Sequence, residues 1–339
     1  MKSRRSIIAV VGTVAVFALP TLNAADVLVG AGATFPSPLY QKWIATFGEK
    51  FPDATITYRA IGSGAGIDAL RNGEVDFAAS DVPLSDEAIA AFRGRLHHIP
   101  TVVGGVVPIY HLDGAVRDIR FTPEALAGIY LGRIKRWNDP LLTSVNPRMS
   151  LPARNIIVVH RSDRSGTTYI WTDYLSKVNP DWRSSIGAVT DARWPIGVSA
   201  AGNDGVAGFV EKTADSIGYV EFIYALHGHV SYGAVRNASG RFISADLSSL
   251  QAAAATSKAS RRELRTSITN PSGADAYPIA AFTYFIVPEA MHDAAKAALM
   301  TRFLLWTLTF GQKQSAALGY AALPDDVAKQ AIESVSALR

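Results

Sequence analysis

One local pattern occurs three times in this chain: a short apolar run, a turn of glycines and small hydroxyl residues, and the start of an amphipathic helix. It is found at VLVGAGATFPSPLYQKW (27–43), at ATITYRAIGSGAGIDALR (54–71) and at IIVVHRSDRSGTTYIWTDYLSK (156–177). Strands alternating with helices place the chain in the α/β class. Each turn also does something chemical. The first N–H groups of a helix have no intrahelical acceptor, and the helix dipole adds partial positive charge, so each unit favours an anion. The third unit says most. Ile156 to Val159 read as a strand, and Tyr169, Trp171, Tyr174 and Leu175 have helical spacing. Between them, RSDRSGTT adds Arg161, whose planar guanidinium matches two oxygens at once.

The first unit resembles a dinucleotide fingerprint only in part. Gly30 and Gly32 fit G-x-G-x-x-G, but the last position is Phe35, and the following strand ends in Tyr58 and Arg59 rather than an acid. The turn reads instead as an oxyanion cradle with Thr34 supplying a hydroxyl. In the second unit, Ser63 stands where an N-cap would stand and reads equally as a cap or as a ligand. VDFAASDVPLSDEAIAAF (75–92) gives a strand ending at Ser80-Asp81, then a helix capped by Ser85, Asp86 and Glu87. Asp81 stands at a strand end, where open α/β folds bind ligands, and reads equally as a turn residue.

Two long apolar runs, 99–112 with Gly104-Gly105 inside it and 276–288, read as crossovers between lobes. SIGYVEFIYAL (216–226) reads as a strand, GVAGFVEKTA as a helix after the Gly202-Asn203-Asp204-Gly205 turn, and 245–267 as a surface helix or loop. Residues 1–24 read as an export leader. Lys2, Arg4 and Arg5 precede a short apolar run, Ile7 to Leu19, with cleavage expected after Ala24. The leader carries three cations and no acid, so the formal net charge of +4 falls to +1 for the remainder. That balance gives no reason to expect nucleic acid or an anionic membrane as partner. The chain has no cysteine, which removes disulfides and thiolate chemistry.

Several catalytic classes lack their residues. GxxxxGK[ST] and HExxH are absent, and His97-His98 and His227/His229 have no acidic cluster beside them, so no metal or other cofactor is expected. Ser63 lacks the G-x-S-x-G frame of a hydrolase elbow. What converges is a set of hydroxyls and N–H groups with one arginine. Such a site suits a tetrahedral oxyanion and has no nucleophile–base pair.

The ordered segments GAGATFPSPLYQKW, IGSGAGI, VDFAASDVPLSDE, TVVGGVV, IYLGRIKRWND, RSDRSGTT, WPIG, GNDGVA, IGYVE and YPI resemble the periplasmic phosphate-binding proteins of bacterial phosphate-specific ABC transporters. The resemblance implies a two-lobed, type II periplasmic-binding-protein fold with phosphate in the cleft between lobes. It implies lobe I over 25–105 and 282–339, lobe II over 106–281, and hinges near 103–110 and 278–287. By position, Thr34, Phe35 (through its N–H), Ser63, Asp81, Arg161, Ser165, Gly166 and Thr167 fall on the family's ligand residues, and Asp163 on the residue that braces the arginine. The implied partners are inorganic phosphate and an inner-membrane ABC permease with its ATPase, and the implied form is a periplasmic monomer without catalysis. Another oxyanion, sulfate or arsenate, is the alternative ligand, and a secreted phosphatase the alternative class. One departure is visible: Arg164 replaces the glycine usual in the family's D-G-S-G-T. If that position needs a positive φ, the turn is strained; if not, Arg164 adds charge at the cleft mouth.

Overall fold

The computed structural model describes residues 26–113, 118–228, 230–256, 264–291 and 293–338. The expected leader and its cleavage point lie outside these residues, as do 257–263 of the Ala/Ser-rich stretch. Among the described residues, no helix is long and apolar enough to cross a membrane.

The described residues form twelve strands: β1 (Asp26–Gly32), β2 (Ala54–Ala60), β3 (Phe77–Ser80), β4 (Leu96–His111), β5 (Arg120–Phe121), β6 (Ile157–Arg161), β7 (Val198–Ala200), β8 (Ser216–Glu221), β9 (Ser231–Tyr232), β10 (Ala234–Arg236), β11 (Phe242–Ile243) and β12 (Ala280–Pro288). The main sheet runs β2-β1-β3-β12-β4-β8-β6-β7, with β9 also on β4, and β11-β10-β5 form a small second sheet. β1, β2 and β3 are mutually parallel, as are β8, β6 and β7. The two parallel blocks are joined through antiparallel β12 and β4. β4 changes partner midway. Up to Gly105 it pairs with β12, and from Val106 it pairs with β8. It is therefore one continuous strand shared by both lobes of a two-lobed α/β fold.

The glycine pair inside this strand has a packing reason. A Cβ on Gly104 would strike the Phe35 ring, and one on Gly105 would crowd Leu250 and Tyr277. Elsewhere most of the period-2 and helical patterns become the expected elements, but the Gly202–Gly205 run read as a turn is the first turn of a helix, Gly202–Lys212, and the 276–288 run is a strand only from Ala280. The 216–226 run is not a single strand: it divides after Glu221 into β8 and a helix, Phe222–His227. Glu221 causes the break by capping that helix, its Oε2 accepting from Ile223 N at 2.8 Å. Apolar content does not distinguish the two, because both the strand and the first turn of the helix are buried.

Each lobe has its own aromatic core. In the first, Trp43 on the helix Ser37–Lys50 stacks on Tyr40 at 5.6 Å, and its Nε1 donates to Gly311 O at 2.9 Å. In the second, Trp171 stacks on Tyr219 at 5.1 Å with an interplanar angle of 11°. Trp43 is fully buried, so Trp43→Ala removes both packing and a satisfied donor. Its unfolding free energy in urea is expected to fall by about 3–5 kcal/mol, with a smaller loss for Trp43→Phe.

Candidate functional site

The residues singled out from sequence all follow C-terminal ends of parallel strands. Thr34 and Phe35 follow β1, Ser63 follows β2, Asp81 follows β3 and Arg161 ends β6; Asn203, which the sequence did not single out, lies just past β7. In open α/β sheets these ends converge on one crevice, because every strand of a parallel block points its C-terminus the same way.

Arg161 supplies the charge. It is 4% exposed, and its Nε and Nη2 donate to the two oxygens of Asp163 at 2.7 and 2.5 Å. Its Nη1 is buried with no hydrogen-bond partner. A buried guanidinium N–H left unpaired is costly and marks where an acceptor belongs. Asp163 also accepts from Gly202 N at 3.1 Å. Burial works to raise its pKa, but the hydrogen bonds and charge of Arg161 outweigh that and hold it below the usual value.

Around this cation stand neutral donors. Among the described residues, the backbone N–H groups of Thr34, Phe35, Ser63, Gly166 and Thr167 find no acceptor. The reason at Thr34 and Phe35 is visible on the other side of the peptide. The carbonyls of Ala33, Thr34 and Phe35 each accept from a tyrosine hydroxyl: Tyr58 at 2.6 Å, Tyr224 at 2.7 Å and Tyr320 at 2.7 Å. Ser165 caps the helix Gly166–Val178 by accepting from Thr168 N at 3.1 Å, which leaves its own O–H proton to donate.

Asp81 is the acceptor in this setting. It is 2% exposed; its Oδ1 accepts from Thr283 Oγ1 at 2.7 Å, and its Oδ2 lies 3.4 Å from Ser63 Oγ. Burial pushes its pKa up to about 7, although Thr283, Arg161 and Ser63 all pull the other way. The cap reading of Ser63 fails. Gly62 occupies the N-cap with φ of 94°, which shifts Ser63 into the helix and turns its hydroxyl toward Asp81. Gly166 lies against this pair, and any Cβ there would overlap Asp81 Oδ2 and Ser63 Oγ. The two parallel blocks thus meet at the site.

Arg164 is not strained. The described non-glycine residues with positive φ are Asp118, Asp215 and Asn270. Its carbonyl accepts from Gly64 N at 3.0 Å, and its guanidinium pairs with Asp68 on the facing helix. It bridges the two lobes at the exposed rim of the site.

Sequence reasoning missed Asn203, Thr283 and the three tyrosines. Asn203 is fully buried, with its Nδ2 donating to Thr34 Oγ1 at 2.8 Å and to Thr167 Oγ1 at 3.1 Å. Its only signal was a place in a Gly-Asn-Asp-Gly run, which reads as a turn. Among the described residues, no group of three or more metal-ligating side chains is present.

Comparison with known proteins identifies the family. Residues 20–309 match the model of the PBP superfamily domain. The chain is 40% identical over 303 residues to a "Phosphate-binding protein PstS" of Xylella fastidiosa, covering 89% of this chain and 82% of that protein. It is 36% identical to the Pasteurella multocida protein of the same name, covering 92% and 90%. Among solved structures, the phosphate-binding protein from Stenotrophomonas maltophilia superposes with a TM-score of 0.73 at 21% identity, over 91% of this chain and 93% of that one. A high-affinity periplasmic phosphate-binding protein solved with phosphate (PfluDING) gives 0.72 at 21% identity, over 89% and 92%. At that identity the structures speak for the fold, and the sequence relatives speak for the family. The chain belongs to the PBP superfamily and, within it, to the PstS family of phosphate-binding proteins.

Proposed function

We infer that this chain binds inorganic phosphate between its lobes, in the periplasm, and delivers it to an inner-membrane ABC permease and its ATPase. The observation that carries the reading is one buried acceptor, Asp81, set among donors that include the unpaired Nη1 of Arg161. A wholly donating cradle would accept any tetrahedral oxyanion. A carboxylate inside it repels an anion unless that anion brings a proton. Phosphate near neutral pH does so and sulfate does not, so an ionised Asp81 gains a charge-assisted hydrogen bond with one and opposes lone pairs with the other.

In this reading Arg161 Nη1 and the N–H groups of Thr34, Phe35, Ser63, Gly166 and Thr167 hold the anion, with the hydroxyls of Thr34, Ser63, Ser165 and Thr167. Asp163 acts through Arg161 by fixing its plane. The lobes are 25–105 with 282–339 and 106–281, and they close by bending where β4 and β12 cross between them. The PstS relatives are named for binding, and among the described residues no nucleophile is paired with a histidine base, so the chain is read as a transport component rather than an enzyme; we take it to act as a monomer. Phosphate is expected to raise the melting temperature of the protein, since a ligand bound only by the native state stabilises it, while a chromogenic phosphate ester is not hydrolysed.

Asp81→Asn tests the selectivity reading. The ratio of phosphate to sulfate affinity, measured by calorimetry, is expected to fall at least tenfold; an unchanged ratio removes Asp81 from this role.

The pKa gives a second test. Its folded value, about 7, lies above the ordinary aspartate value, so the unliganded wild type holds this proton below about pH 7 and loses it above. A protonated Asp81 donates, so sulfate is expected to compete at pH 5 and not at pH 8. The same sign applies to stability. Keeping this carboxyl favours the folded state most at acid pH, and that contribution is lost as pH rises toward 7. Without ligand, Asp81→Asn is therefore expected to gain in melting temperature relative to wild type between pH 4 and 7, with no further gain above.

A further inference from the structure

We propose that Asn203 is a positioning residue that sets the proton direction of the Thr34 and Thr167 hydroxyls, turning both into donors toward the bound anion. The proposal rests on the phosphate reading and adds to it a residue that does not itself touch the ligand. The amide has only one orientation that satisfies its surroundings. Its Oδ1 accepts from Glu221 N at 3.0 Å, so Nδ2 faces the threonines. One amide N–H goes to Thr34 Oγ1 at 2.8 Å and the other to Thr167 Oγ1 at 3.1 Å. A hydroxyl that accepts from an amide keeps its own proton, and among the described residues neither of these two protons meets an acceptor.

The placement adds a second consequence. Thr34 follows β1, and Thr167 lies in the first turn of the helix after β6, so they belong to different parallel blocks. Glu221, which anchors the amide, pairs with Val106 on β4, at the point where that strand changes partner. Asn203 is thus fixed to the end of β8, beside the point where β4 changes partner, and holds one hydroxyl from each side. Both are oriented together only when the two sides are together, which ties donor geometry to lobe closure. Asn203 is fully buried, so water does not offer a substitute donor.

The test is a coupling measurement on phosphate affinity by isothermal titration, with unliganded melting temperature as a fold control. Asn203→Ala is expected to weaken phosphate binding about ten- to hundredfold, the range expected for disturbing hydrogen bonds to a charged ligand. In a Thr34→Val, Thr167→Val background, titrated to millimolar phosphate, the same substitution is expected to cost less than about threefold. Equal losses in both backgrounds would overturn the proposal. Asn203→Asp is near-isosteric, keeps an acceptor for Glu221 N, and reverses the polarity toward the threonines. It is expected to melt near the wild-type temperature and to bind phosphate at least as poorly as Asn203→Ala, by a margin larger than its effect in the valine background, which measures the added charge alone. If Asn203→Ala fails to fold, this variant decides the matter, and wild-type affinity in it sinks the proposal. Failure of the wild-type protein to bind phosphate would instead remove the functional reading, and the two failures are distinct.

Discussion

A charge taken out of water has to be answered, and the site is organised around that requirement. Arg161 is buried with a carboxylate braced along one edge. Two hydrogen bonds to Asp163 fix the guanidinium plane and occupy Nε and Nη2. The remaining Nη1 is aimed by geometry rather than by a flexible stem, as a planar fork allows and an ammonium does not. The strand beneath is held equally firmly. Arg161 N donates to Tyr219 Oη at 3.3 Å, and Tyr219 bonds Thr168 at 2.7 Å while stacking on Trp171. A fully buried aromatic layer therefore supports the buried cation of the site.

The remaining donors are neutral, and they are oriented from behind. Peptide groups are rigid, so fixing a carbonyl fixes the N–H on the opposite side of the same plane. Tyr58 and Tyr224 hold the carbonyls of Ala33 and Thr34, and so direct the N–H groups of Thr34 and Phe35. Tyr224 comes from the helix that follows β8, Tyr58 from β2 and Tyr320 from the C-terminal region. Three distant parts of the chain thus converge on one turn. Burial raises the pKa of each of these hydroxyls well above its ordinary value, so they stay protonated and remain donors at neutral pH.

What could be read before folding and what could not divides along a physical line. Strand periodicity, glycine turns and helix starts are local, and so the elements that carry Thr34, Arg161 and Thr167 were legible. The division of 216–226 into strand and helix was not, because both halves are apolar and the break depends on a glutamate cap. Ser63 stayed open between cap and ligand, since only the backbone angle of Gly62 removes the cap reading. Asn203, Thr283 and Tyr320 were illegible for a different reason. Each acts across more than 100 residues of chain, on Thr34, Asp81 and Phe35 respectively. No local window contains such a pair. Asp81 was a candidate by position, read equally as a turn residue; its raised pKa depends on burial, which only the folded chain provides.

Arg164 brings a different variable into the molecule. Its partner Asp68 also pairs with Arg71, at 2.6 Å, and side-chain exposure is 47% for Arg164 and 32% for Asp68. The Arg161–Asp163 pair is 1% and 21% exposed. Dissolved ions screen the first pair strongly and the second weakly, because the Debye length in physiological salt is about 8 Å and acts through solvent. The rim that joins the lobes is therefore more sensitive to the ionic strength of its surroundings than the interior grip is. In a compartment whose ionic strength follows the outside medium, such a chain would release its cargo more readily in brine than in fresh water without altering the chemistry by which it chooses that cargo.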